Sequence, residues 1–155
     1  MYCRLAAREI SALKPALDAA GVRLIGVGVE PLGVEDFIAG GFFDGELYID
    51  MNKGSYKAMD FSRMSKGGLF GAVMSKSARA FQKRAKALKV DGDKKGDWYQ
   101  YGGAIVVDEN GKDLFVFKQK EAPEHPENED IMKALGMDTS VVKHAEDLGP
   151  VVCKV

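Results

Sequence analysis

The stretch MYCRLAAREISALKPALDAAGVRLIGVGVE, residues 1–30, decides the fold, because within it a helical period gives way to a strand. Ala6, Ile10, Leu13, Leu17 and Ala20 recur at steps of four and three, the spacing of one helix face, and Gly21 supplies a stop. Pro15 falls inside that pattern and removes a backbone hydrogen bond, which predicts a kink or a helix divided in two. Residues 22–30 are β-rich without clean alternation, as expected of a strand covered on both faces in a parallel sheet. A helix followed by such a strand is half of a βαβ unit, whose first strand is expected ahead of Cys3.

Further along, residues 34–39 form a short helix pattern ending at Gly40 and Gly41, and GELYID (45–50) reads as a second strand. Residues 53–59 are expected to make a brief helix that turns Tyr56 inward. Residues 62–101 form a basic insert whose helix sets Met74, Ala78, Phe81, Ala85 and Leu88 on one face. Between Arg63 and Lys95 there are ten basic residues against Asp91 and Asp93. AIVVD (104–108) and DLFVFKQK (113–120) make a hairpin around Asn110-Gly111, two residues that tolerate positive φ. Asn128 is positioned to cap a closing helix over 129–135, stopped by Gly136. Residues 1–136 are thus expected to be one domain and 137–155 a tail.

The 155 residues suit one core, and 46% apolar with 29% charged residues is a globular composition. The first residues follow a helical period and do not have the layout of a secretory signal, and no apolar run approaches the length of a membrane span; a cytoplasmic location is expected. Cys3 and Cys153, at opposite ends, read as reduced thiols. His125 and His144 lie in polar surroundings and read as surface residues, with no metal site expected. GVGVEPLG (26–33) has two suitably spaced glycines, but Pro31 and the lack of a third rule out a dinucleotide fingerprint.

A parallel strand reached through a helix, then an antiparallel hairpin and a closing helix, is the element order of an α/β, thioredoxin-like fold. In such a fold Cys3 sits where a strand ends and a helix begins, at the carboxyl edge of the sheet where α/β sites gather. Unpaired N–H groups at the helix start stabilise a thiolate, and Arg4 adds positive charge nearby. A thiolate attacks a peroxide oxygen or a disulfide sulfur, and a second thiol resets it. Read by itself, Cys3 is more simply a small, partly buried apolar residue near a helix start.

The stretches RLIGVGVEPLGVEDF (23–37), GELYID (45–50) and GDWYQYGGAIVV (96–107) resemble the peroxiredoxin-like 2 family, and the resemblance runs from Cys3 to about Gly136. It implies a Cys-x-x-Cys motif followed by arginine. Met1 and Tyr2 match its middle residues, Cys3 its second cysteine and Arg4 the arginine. The first cysteine is then expected one position before Met1, and the fold is expected to be incomplete at its amino end. The resemblance implies a thiol-dependent reductase that cleaves the O–O bond of prostaglandin H2 or its ethanolamide. Its reducing equivalents would come from NADPH through a thioredoxin-type reductant, with no cofactor bound. Tyr101, Gly102 and Gly103 stand where other thioredoxin-like folds keep a cis-proline loop, and the glycines would let backbone approach a substrate.

A second function class stays open: a non-enzymatic module of the same fold that engages an acidic partner or an anionic membrane through its basic helix. Aromatic residues are not interleaved with those charges, which argues against nucleic acid. Cys153, in VVCKV (151–155), reads as an incidental thiol. Phe37, Phe42, Phe43, Phe115 and Phe117 read as core residues that could also line an apolar pocket.

Overall fold

The computed structural model describes residues 2–65, 75–90, 96–97, 99–142 and 147–148. Helix α1 (Tyr2–Ser11) is followed by α2 (Lys14–Ala19), and Pro15 lies in the first turn of α2. There its missing N–H costs nothing, so the expected disturbance takes the form of a clean division into two helices. Gly21, at φ 70°, ends the segment. Strand β1 (Ile25–Gly28) runs parallel to β2 (Glu46–Ile49), with Ile25 opposite Glu46 and Gly28 opposite Ile49. The crossover between them carries α3 (Val34–Ala39), whose bounds match those read from the sequence. A short helix α4 (Gly54–Ala58) leads away from β2.

The basic helix is α5 (Lys76–Ala87), capped by the Ser75 hydroxyl, which accepts a hydrogen bond from the Ala78 N–H at 3.1 Å. Ala78, Phe81, Ala85 and Leu88 are buried as its period predicts; Met74 lies outside the described residues. Strands β3 (Gly103–Val107) and β4 (Asp113–Lys118) pair antiparallel, with a register shift at Val106 and Val107. The closing helix α6 (Asn128–Ala134) precedes a 3₁₀ turn at Thr139–Val141.

Two apolar clusters hold these elements together. Leu5 from α1 packs with Phe42 and with Phe81, Ala85 and Leu88 from α5; Leu13 and Leu17 pack with Ile131 and Met132 of α6. The second cluster reaches Leu24 below β1 and Val106 and Phe115 of the hairpin, so the helices cover one side of both sheets.

Three expectations are corrected. Strand β1 is not covered on both faces: Ile25 is 46% and Val27 38% exposed, while Leu24 on the alternate face packs inward. A strand of period two that meets helices on one side only leaves its other side open. The hairpin does not use positive φ at both Asn110 and Gly111. Gly111 alone adopts it, at 79°, while the Asp108 carboxylate accepts from the Asn110 and Lys112 N–H groups. Nor does Asn128 cap the closing helix. It is the first helical residue, Glu127 stands at the cap, and the Asn128 amide donates to the Glu9 carbonyl at 2.8 Å.

Candidate functional site

Cys3 is the second residue of α1 and is exposed, which presents its sulfur from the first turn of the helix. Tyr56 on α4 lies close enough to feel its charge. Burial pushes the Tyr56 phenol up to about 12, and charge at Cys3 and then Asp50 adds to the shift, so the sulfur lies within electrostatic reach of the phenol. The phenol O–H donates to the Val27 carbonyl at 2.8 Å. In the parallel ladder the Leu24 and Gly28 carbonyls accept from β2, through the Glu46 and Asp50 N–H groups. The Val27 carbonyl therefore faces the opposite edge, and Tyr56 satisfies it there. Tyr56 thus closes the outer edge of β1 toward its carboxyl end, the edge where α/β sites gather.

Arg4 takes a different direction. Its guanidinium carbon lies 5.1 Å from the centroid of the Phe42 ring, a stacking distance. One residue further along a helix is about a 100° turn, so Cys3 and Arg4 cannot share a face.

The two glycines after Tyr101 have different surroundings. A Cβ on Gly102 would meet nothing within 4 Å, which leaves backbone approach open there. A Cβ on Gly103 would press on the Phe117 carbonyl and come within 2.6 Å of the Phe61 ring, so Gly103 is required by packing. Phe61 also stacks edge-on against Tyr56 at 5.4 Å. Through it the start of β3 is tied to the Cys3 neighbourhood. Tyr101 is buried apart from them, against Ala122 and Met64.

The GD and Q of GDWYQYGG act as fasteners. The Asp97 carboxylate bridges Lys53 at 2.6 Å and Arg63 at 2.8 Å, while its N–H donates to Glu30. The Arg63 and Lys53 hydrogen bonds hold the Asp97 carboxyl far below the usual carboxylate range. The Gln100 amide donates to the Ser62 and Tyr101 carbonyls at 3.2 and 3.0 Å.

His125 is not an ordinary surface residue. Its side chain is 19% exposed, Nε2 lies 3.0 Å from Oε2 of the buried Glu9, and Nδ1 lies 3.2 Å from the Pro123 carbonyl. Glu9 also binds Arg84 of α5 through its other oxygen. Burial pushes the Glu9 carboxyl up, but hydrogen bonds from His125 and Arg84 and their charges outweigh it and leave the group below its ordinary value. The hydrogen bond to Glu9 raises His125, against desolvation. Both ring nitrogens face acceptors, so the site is fully satisfied only by the imidazolium. The polar residues around His125 in sequence gave no signal of a partner 116 positions away. His144 and Cys153 lie outside the described residues.

Among the described residues no three His, Cys, Asp or Glu side chains converge to hold a metal ion, and no helix is long and apolar enough to cross a membrane. A cavity of about 420 Å³ lies at the amino ends of β1 and β2, away from Cys3. Four of its charges are already paired, Lys14 with Asp18 and Arg23 with Glu46, and it holds no thiol, so it is the wrong place for thiol work.

Residues 9–121 match the sequence profile of the AhpC/TSA antioxidant enzymes. The chain is 42% identical to the prostamide/prostaglandin F synthase of Bos taurus over 142 residues, covering 91% of this chain and 71% of that protein. It is 39% identical to the synthase of Homo sapiens over 91% of this chain and 72% of that one. For Danio rerio the identity is 40%, over 90% and 70% of the two chains. No solved structure matches. The parallel β1–α3–β2 crossover, the β3–β4 hairpin and the closing helix are the parts of a thioredoxin-like fold, and Cys3 is exposed in the first turn of α1. The chain belongs to the AhpC/TSA antioxidant enzyme family, peroxiredoxin-like thiol oxidoreductases.

Proposed function

We propose that this chain reduces the cyclic endoperoxide of prostaglandin H2 and of its ethanolamide to the F-series diols, with Cys3 as one thiol of the working pair. The observation that carries the reading is the exposed Cys3 sulfur in the first turn of α1, within electrostatic reach of Tyr56, in a chain of this family. The names of the relatives support the substrate.

In the reaction a thiolate attacks one peroxide oxygen; an S–O bond forms as the O–O bond breaks, and the departing alkoxide takes a proton. A second thiolate then attacks that sulfur, an S–S bond forms, and the second oxygen leaves and is protonated. The substrate gains two electrons and two protons, and the thiol pair becomes a disulfide. Cys3 serves as the second thiol of the pair, in the place of the second cysteine of the Cys-x-x-Cys motif that the family resemblance implies. Arg4 adds positive charge to the same turn of α1 from its place on Phe42, and in the loop of Tyr101, Gly102 and Gly103 the open backbone at Gly102 is the part that meets the substrate. A thioredoxin-type reductant restores the disulfide with electrons that originate from NADPH; the protein binds no cofactor of its own and works in the cytoplasm.

The test couples thioredoxin, thioredoxin reductase and NADPH to prostaglandin H2, with the full polypeptide. The reading expects NADPH consumption matched by diol formation, abolished by Cys3→Ser. Turnover that persists in Cys3→Ser overturns the assignment of Cys3, and absence of any diol overturns the substrate.

A further inference from the structure

We propose that the exposed face of α5 is a docking surface for anionic lipid bilayers. Lys76, Arg79, Lys83 and Lys86 follow one another at steps of three, four and three, which sets them in a single stripe along the helix. All four are exposed, and none forms an ion pair within the described residues. Arg84, the remaining cation of the helix, is engaged by Glu9 and lies off the stripe. The helix contains no acidic residue, so nothing on it offsets the stripe. At 1.5 Å per residue the four charges span about 15 Å, comparable with several lipid headgroups.

The shape of this face favours a bilayer over other anionic partners. Between the cations the exposed helix surface is Ala80 and Ala87, small side chains that let a flat array of headgroups come close. No aromatic side chain stands among the charges to stack a nucleic-acid base. The stripe itself is a row of flexible charged side chains on a convex helix, with no exposed aromatic or large apolar side chain among them to anchor an acidic protein segment. The chain as a whole carries a net charge of -1, so the cations of α5 are offset by acid elsewhere, and the molecule approaches an anionic surface in one orientation. The apolar face of α5 is already spent inside the protein, with Ala78, Phe81, Ala85 and Leu88 buried. Adsorption is therefore electrostatic, without insertion into the acyl region. Docking does not depend on the thiol chemistry.

The experiment is vesicle co-sedimentation of the full chain with phosphatidylcholine vesicles containing roughly one-third phosphatidylserine, against phosphatidylcholine alone. The expected partition is strong on the mixed vesicles and absent on the neutral ones. Each charge removed should weaken it about fivefold, and the combined Lys76→Gln, Arg79→Gln, Lys83→Gln, Lys86→Gln protein should lose several hundredfold. Raising salt from about 0.1 M to about 0.5 M should release the protein, because the screening length falls below the distance over which the stripe acts. A variant with the three lysines of the stripe replaced by arginine keeps the charge and should keep binding, which separates lost charge from a damaged fold. Cys3→Ser should bind as the parent does, so failure of the redox reading leaves this one standing. Equal partition on neutral vesicles, binding unchanged in the fourfold variant, or capture by polyglutamate or single-stranded DNA with none by the mixed vesicles overturns the proposal.

Discussion

Replacing Glu9 by Gln tests the interior contact on which helix α1 rests. Glu9 is 7% exposed and stands between Arg84 of α5 and His125, which follows the hairpin, so one carboxylate joins α1 to two distant parts of the chain. Among the described residues its buried Oε2 has no geometrically formed hydrogen bond and depends on the ionic contact with the imidazolium at 3.0 Å. Removing one member of a fully buried ion pair costs about 3–5 kcal/mol. Here the Arg84 side chain is 38% exposed and His125 can release its proton, so both cations have an escape. The expected loss therefore falls to about 2 kcal/mol, or a melting temperature lowered by roughly 4–8 °C for a chain of this size. The pH dependence is the sharper signature. His125 is raised in the folded state, so its contribution is complete below its unfolded value near 6.5 and drains away as pH rises through the folded value. Glu9 is lowered, so its contribution is present above an unfolded value of about 4.3 and is lost in acid. Urea unfolding at pH values on both sides of neutrality should show the parent losing stability toward alkali and the Glu9→Gln protein losing less. Parallel pH profiles for the two proteins, or a His125 resonance that titrates below the ordinary range, would refute the reasoning.

Other expected outcomes follow from packing. Gly103→Ala should lower stability by about 1–3 kcal/mol, because its methyl meets the Phe117 carbonyl and the Phe61 ring. Gly102→Ala, in open space, should leave the melting temperature within a degree or so; equal effects at the two positions would contradict the local geometry. Leu13→Ala empties a site 1% exposed between α2 and α6 and should cost about 3–4 kcal/mol in denaturant unfolding. A loss under about 1 kcal/mol would mean that this cluster is not a core.

Most of the fold was legible because its elements announce themselves locally. The residues of α3, β2 and the two hairpin strands carry their own periods and stops, and Pro15 marked the place where the first helix divides. What escaped depends on partners far along the chain. Asn128 looked like a cap because its type suits one, yet its amide serves the Glu9 carbonyl 119 positions away. The face of β1 that carries Ile25 and Val27 was expected to be covered because the residues are apolar, but composition does not reveal which side the helices take. Of the site, Cys3 and the glycines were found from sequence. Tyr56 was read only as an inward side chain, since nothing in SYKAM signals a hydrogen bond to Val27. The GD and Q of the family motif turned out to fasten loops, through Asp97 and Gln100, rather than to face the thiol.

The central claim is that Cys3 is a working redox thiol. Its most direct test exposes the reduced protein to one equivalent of peroxide, blocks remaining thiols, and locates the oxidised sulfur by peptide mass spectrometry. Cys3 is expected to be lost from the free-thiol pool in step with the peroxide consumed and to be recovered by a thioredoxin-type reductant. Peroxide consumed while Cys3 remains free, with the oxidation found at Cys153 or nowhere in the chain, would contradict it.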